Sequence, residues 1–435
     1  MPEIWFVPSS ATIPSSRIDG TLGMRSALSA SHNRVIPGIA GLGFVRQASW
    51  ACAAIALVGE GRKTKLNNAQ VANALEALAC KHVFRAGTRL PLENVRGSTR
   101  LAVNYSDPVQ WSCSHLRLPK NYVTQPFRQS TTEALTPDGG LGFVQPGTSR
   151  FNGMELSERG GELAEAFLSQ KVSYAKLRKV LRKWLDAGRS NDSGKVILEA
   201  GEAMLASIRP GQASPSERST LRRSLSLELG REQAALCGGD ARRRTRLHVW
   251  LTSLGREQAE KIRVEDLETL LRTDGSAQAI AHWHAIQENF YLARYLNSAR
   301  VVLISIIELH KDGRNATCLD TVAQNGQVAS ACARYCAAGS EYRGFLTDHP
   351  DLCVNNLALD PDESDYRSII EGITAQVPLL MRIERNMLVA GTLMRTPPNI
   401  QIESDLTDML PLNRTSWVPR RFRQFRNLVL ECGND

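Results

Sequence analysis

Several chemistries are excluded by what this chain does not contain. None of its nine cysteines (Cys52, Cys80, Cys113, Cys237, Cys318, Cys332, Cys336, Cys353 and Cys432) forms a CxxC pair, so neither a zinc ribbon nor a dithiol redox motif is written here. Their odd number and apolar surroundings, as in Ala77-Leu78-Ala79-Cys80, read as reduced, buried thiols of a cytoplasmic protein. No GxSxG elbow and no HExxH helix is present. No segment approaches the roughly 18 uninterrupted apolar residues of a transmembrane helix. The N-terminal MPEIWFVPSSATIP lacks the basic region of a secretory signal. Internal repeats and low-complexity tracts are absent too.

What is present is an ordinary globular composition with an unusual placement of charge. At 435 residues, 42% hydrophobic and 22% charged, the chain has the length for two to four domains with real cores. Between Lys171 and Arg246 stand 17 Lys/Arg against 8 Asp/Glu, a surplus equal to the whole net charge of +9. Localised positive charge is the footprint of a phosphate-backbone surface, although a solvated face or an acidic protein partner gives the same count.

The best patterned stretch is Leu141–Gln170. Two short apolar runs (Leu141, Phe143, Val144; Phe151, Met154, Leu156) flank a Pro146-Gly147 tip and predict a two-stranded hairpin. Ser157 then stands where an N-cap belongs, and Leu163, Ala166 and Phe167 define an apolar helical face. Upstream, Phe44–Val58 reads as a nearly all-buried helix with Arg46 as its polar exception, and Asn67 or Asn68 caps a second helix to about Phe84. Tyr122–Leu135 reads as a helix entering the hairpin. Downstream, Lys171–Leu185 is an amphipathic helix with Tyr174, Leu177, Val180, Leu181, Trp184 and Leu185 on its stripe. Helices follow at 195–208, after Ser214 or Ser216, at Leu247–Leu254, Val264–Leu271 and Ala277–His310, then at Ala329–Ala338. Tyr366–Arg395 predicts a pair of helices or one kinked at Pro378. Residues 1 to about 20 read as an extended arm, and Asp348–Asp365 as a Pro/Asp/Asn-rich connection. Arg414, Arg420, Arg421, Arg423 and Arg426 interleave with Trp417, Phe422 and Phe425 in a tail that stacks on bases or docks in the chain's own core.

The hairpin followed by Leu156-Ser157-x-x-Gly160 resembles the wing and closing helix of winged-helix domains. The order of Leu22-Gly23, Pro37-Gly38, Arg46 and Trp50 on an apolar helix, a Gly97-Ser98 turn, the hairpin and LSxxGxxLAxAF resembles a group of uncharacterised bacterial proteins encoded in anti-phage defence islands. Gln47 and Ala48 stand where that group has an aromatic pair around the arginine. The resemblance covers residues 20 to about 185 and brings no catalytic residues. The fold class expected is a mainly α, multi-domain helical protein with a winged-helix-like β-hairpin segment. Its expected domains are 1–120 (helical, with the arm), 121–190 (winged-helix-like segment and basic helix), 191–315 (basic, helical) and 316–435 (helical, with the Arg/aromatic tail).

Of the candidate chemistries, Gly188–Val196 falls short of a phosphate loop, with five residues between its glycines and a valine after Lys195. His282 and His284 lie on different helical faces, and His284 with Glu288 or Cys332 with Cys336 supplies too few ligands for a metal. No cofactor, metal or small-molecule substrate is expected. The basic residues carry the functional expectation: Lys171, Lys176, Arg178, Lys179, Arg182 and Lys183 on the amphipathic helix, with Arg150 in the wing. Arg222 and Arg223 follow, then Arg242, Arg243, Arg244 and Arg246, spaced to span neighbouring phosphates. They point to a non-catalytic subunit that holds double-stranded DNA by its backbone, with no membrane contact. The resemblance implies a multi-protein anti-phage or anti-plasmid defence complex. A protein-binding scaffold without nucleic acid, or a nuclease with a dispersed carboxylate site, remain the alternatives.

Overall fold

The computed structural model describes residues 22–60, 65–85, 95–123, 126–137, 139–147, 150–172, 175–226, 238–310, 316–352, 365–378, 381–391 and 417–433. The expected arm, Tyr174, Cys237, Cys353, Arg414 and nearly all of the Asp348–Asp365 connection lie outside the described residues. Those described are mainly helical with short strands, as the periodicity predicts. Contacts within the chain define two units: His32–His282 with Val418–Asp435, and Met1–Ser31 with Trp283–Trp417.

The larger unit starts with the end of α1 (Arg25–Val35) and is built around α2 (Val45–Gly59), whose residues from Val45 to Ile55 are all buried. A helix apolar all round has to be central, and α2 packs on α3 (Asn68–Arg85) and, beyond the short helix α4 (Phe127–Leu135), on α5 (Glu158–Leu168). Phe44, Trp50 and Phe127 form an aromatic cluster at 5.5–6.2 Å between ring centres. Asn67 accepts from the Gln70 amide at 3.0 Å and so caps α3, as expected. The Glu76 carboxylate accepts the first amides of α4, from Phe127 at 2.8 Å and Arg128 at 2.7 Å. That cap starts α4 after Pro126, five residues later than the sequence suggested.

Leu141–Leu156 is a correction. The expected two-stranded hairpin shrinks to one antiparallel bridge, Val144 with Leu156, because Phe151–Gly153 closes into a 3-10 turn. The junction behaves as expected: Ser157 Oγ accepts from the Gly160 amide at 3.1 Å and donates to the Gly142 carbonyl at 2.7 Å. Gly160 is required there, since a Cβ would sit 1.8 Å from the Phe143 carbonyl oxygen. A second correction follows at once. Lys171–Lys176 is not helical but a tight hairpin of β1 (Lys171–Val172) and β2 (Ala175–Lys176), and the basic helix α6 begins only afterwards (Leu177–Asp186).

The unit continues through α7 (Ser190–Ser207, kinked at Gly201), α8 (Pro215–Leu225), α9 (Gly238–Ser253) and α10 (Val264–Asp274). The boundary between units falls within α11 (Ala277–Leu309). By length and composition α11 alone among the described helices qualifies to cross a membrane, and 67% of its apolar window is buried inside the protein.

In the second unit the Trp283–Leu309 part of α11 packs with β3 (Thr317–Cys318), α12 (Leu319–Gln324), α13 (Gly326–Asp348) and α14 (Tyr366–Ala375). Tyr295 and Tyr335 stack at 4.9 Å with their hydroxyls 2.6 Å apart. The expected second helix before Arg395 is instead a hairpin, β4 (Met381–Glu384) and β5 (Met387–Ala390), giving a sheet in the order β3-β5-β4. Its two-residue turn places Arg385 and Asn386 at φ +50° and +64°, the left-handed pair that matches strand twist. The last helix, α15 (Arg420–Cys432), belongs to the larger unit.

Candidate nucleic-acid interface

The basic helix α6 is amphipathic for the reason read from its sequence. Leu177, Val180, Leu181, Trp184 and Leu185 are buried, and Trp184 Nε1 donates to the Trp111 carbonyl at 2.9 Å. The opposite side sorts by residue type. Arg178 is ion-paired with Glu60 at the end of α2 and with Glu165 on α5, and Arg182 reaches Glu60 at 2.7 Å. These two arginines tie three helices together, which uses much of their charge inside the protein. The lysines do not. Lys171, Lys176 and Lys179 are exposed and make no ion pair among the described residues. Lys183, 68% exposed, meets Glu199 only at 4.0 Å, an arrangement that water screens almost completely.

These lysines form a ridge. Lys171 and Lys176 are register partners across the β1–β2 hairpin. Lys176, Lys179 and Lys183 follow at i, i+3 and i+7, the spacing of one helical face, over about 10 Å of helix rise.

Arg242–Arg246 splits up. Arg244 is 1% exposed, and its Nη1 donates to the Pro37 carbonyl at 3.0 Å and the Gly140 carbonyl at 3.4 Å. Gly38, at φ +75°, admits it: a Cβ there would lie 2.4 Å from that Nη1 and 1.9 Å from the Gly139 oxygen. Arg243 donates to the Arg34 carbonyl at 2.9 Å, and Arg246 pairs with Asp274 at 2.9 Å. Arg242 alone of the four is exposed. A side chain in the interior cannot reach a phosphate, so Arg244 is a structural residue.

The other expected residues lie elsewhere in the larger unit. Arg150 is exposed beside the Phe151–Gly153 turn, which packs on α3 through Asn68. Arg223 pairs with Glu162 at 2.7 Å, and Arg222 is half-buried on α8. Arg46 is 0% exposed and ion-paired with Glu217, a core residue rather than a surface exception. The Arg/Phe tail docks in the chain's own core: Phe422, Phe425 and Leu428 of α15 are buried.

The weaker candidates resolve into structure. Most of Gly188–Val196 is the start of α7, where Gly194 packs so tightly on Pro108 that a Cβ would meet its carbonyl oxygen at 1.7 Å. A cleft of about 400 Å³ beside it is lined by Lys183, Lys195, Asp186, Asp192 and Glu199, a mixture that suits no single charge. His282 Nε2 lies 2.8 Å from the Val35 carbonyl. His284 stacks on His349 at 4.0 Å, and buried Glu288 accepts from Ser31 and Tyr342. No group of three or more metal-ligating side chains occurs among the described residues.

Sequence reading missed the company that Arg243 and Arg244 keep. The end of α1 lies against them, and Arg420 and Arg421 of α15 act on the same short segment, where burial first and then Arg421 and Arg420 push His32 down to about 3. Burial, opposed by Glu133, lowers Arg421 to about 10. The phenylalanines at 422 and 425 carried the signal: a face turned inward at that spacing sets the flanking arginines against neighbouring elements. Comparison with known proteins supplies no family, for no family model, no curated protein and no solved structure matches the chain.

Proposed function

We propose that the chain holds double-stranded DNA by its phosphate backbone through the lysine ridge Lys171, Lys176, Lys179 and Lys183, as the non-catalytic subunit of a multi-protein complex. One observation carries this reading. On a single amphipathic helix the arginines are tied to carboxylates while the lysines stay exposed on one side, together with the hairpin that precedes them. Flexible, solvated ammonium groups in a row contact phosphates without reading bases, which suits binding regardless of sequence. A bacterial anti-phage setting follows from the resemblance over residues 20–185 and from nothing else.

The test is binding of the full chain to a labelled random-sequence duplex across a salt series, beside a Lys171→Gln/Lys176→Gln/Lys179→Gln/Lys183→Gln variant. If all four lysines contact phosphates, the slope of log K against log salt becomes shallower by about 3–4 in the variant. Equal slopes, or no binding at low salt, contradict the reading and favour a protein partner for this face.

A further inference from the structure

Cations in the larger unit gather at a second place, built from elements other than the lysine ridge. Three segments far apart in sequence meet at residues 32–38: the end of α1, the start of α9 and the start of α15. Arg243 Nη1 donates to the Arg34 carbonyl at 2.9 Å and Arg244 Nη1 to the Pro37 carbonyl at 3.0 Å. Arg420 and Arg421 both act electrostatically on His32. Asn33 Nδ2 donates to Glu133 at 2.7 Å, and Glu133 is the carboxylate that acts on Arg421. Two buried polar atoms here, Arg421 Nη1 and Asn33 Oδ1, lack a hydrogen-bond partner among the described residues. Guanidinium groups brought together out of bulk water repel one another with little screening. An anion bound among them stabilises the folded unit by mass action.

We propose that this cluster is a binding site for a compact phosphate anion, an oligophosphate or a terminal phosphate group, contacted by Arg420 and Arg421 with Arg243 and Arg34 beside them. The planar guanidinium fork matches two phosphate oxygens at once and is more weakly hydrated than an ammonium, so partly buried arginines suit phosphate where lysines do not. Half-burial of Arg34, Arg243, Arg420 and Arg421 leaves each both desolvated and reachable. The two basic surfaces thus divide by chemistry: exposed lysines for a long polyanion, half-buried arginines for a small, dense one.

Calorimetry of the full chain with inorganic tripolyphosphate, in phosphate-free buffer, tests the site. The account expects saturable binding that raises the melting temperature of the larger unit, that sodium chloride at equal ionic strength does not reproduce, and that weakens at least tenfold in Arg420→Ala. The four-lysine variant binds tripolyphosphate as the unmodified chain does, which separates this proposal from the DNA reading. On the unmodified chain, NMR titration of the His32 ring, assigned with His32→Gln, supplies a readout that needs no arginine variant. Saturating anion raises its pKa, because the field that opposes its protonation is neutralised. A duplex carrying a 5′-phosphate that competes better than its 5′-hydroxyl counterpart assigns the phosphate to a nucleic-acid end, and equal competition assigns it to a free oligophosphate. Absence of saturable binding, equal affinity in Arg420→Ala, or an unmoved His32 overturns the proposal.

Discussion

The ion pair between Arg46 and Glu217 offers the sharpest test of how the larger unit is held together. Both side chains are 0% exposed, with Arg46 Nη2 at 3.3 Å from Glu217 Oε2. Arg46 also donates to the Gln212 carbonyl and to Gln170 Oε1, and its guanidinium lies over the Phe167 ring at 4.9 Å. Glu217 has a second duty: it accepts the Ser214 amide at 2.9 Å while its own amide donates to Ser214 Oγ, the capping box that starts α8. Replacing Arg46 by Met leaves a buried carboxylate without its cation, a loss of about 3–5 kcal/mol. For a unit of this size each kcal/mol moves the melting temperature by about 2–3 °C, so a fall of about 6–15 °C is expected. Glu217→Gln keeps the cap acceptor and isolates the charge, with a somewhat smaller fall. Arg46→Met combined with Glu217→Gln removes both charges and recovers part of the loss, so the double-mutant cycle shows coupling of more than about 1 kcal/mol. Scanning calorimetry is the assay, and the shift should fall on the larger unit's transition. Single variants within about 1 kcal/mol of the parent, or strictly additive effects, would refute this account of the core.

Three further outcomes follow from named contacts. Burial pushes the carboxyls of Glu76 and Glu431 from an ordinary 4.5 up to about 7. A folded-state value above the unfolded one means stability that is full below about 4.5 and is lost as pH rises to about 7; Glu431→Gln should therefore flatten denaturant stability against pH in that window, and an unchanged profile contradicts the assignment. Gly160→Ala drives a methyl into the Phe143 carbonyl and should cost about 2–3 kcal/mol, whereas Gly161→Ala, with nothing within 4 Å, should gain up to about 1 kcal/mol by urea melts. Arg244→Met should cost about 2–3 kcal/mol by the same measurement, since it strands buried carbonyls, while exposed Arg242→Ala stays within about 0.5 kcal/mol.

Much of the helical framework was legible because its signals are local. Ser157, Asn67 and the stripe of α6 act within a turn or two, and local chemistry places them correctly. The β4–β5 hairpin escaped because Arg385 and Asn386 adopt left-handed geometry without the glycine that advertises such turns. Lys171–Lys176 was read as helix since alternating lysines fit either period over so short a run. Arg244 was misread for a different reason. It shares a helical face with buried Leu247, His248 and Leu251, a spacing present in the sequence, but a run of arginines masks which one turns inward. Convergence of α1, α9 and α15 has no local signal at all, because it joins residues some 200 and 400 positions apart.

Lysine footprinting reports most directly on the ridge. The full chain is acetylated briefly with and without duplex DNA at low salt, and modification is read at each lysine by mass spectrometry. Backbone contact through the ridge predicts selective protection of Lys171, Lys176, Lys179 and Lys183, reversed by added salt, with Lys261 of the helix Arg256–Glu260 end modified equally in both samples. Protection spread evenly over all lysines, or confined to those outside the ridge, would contradict the assignment of this face to DNA.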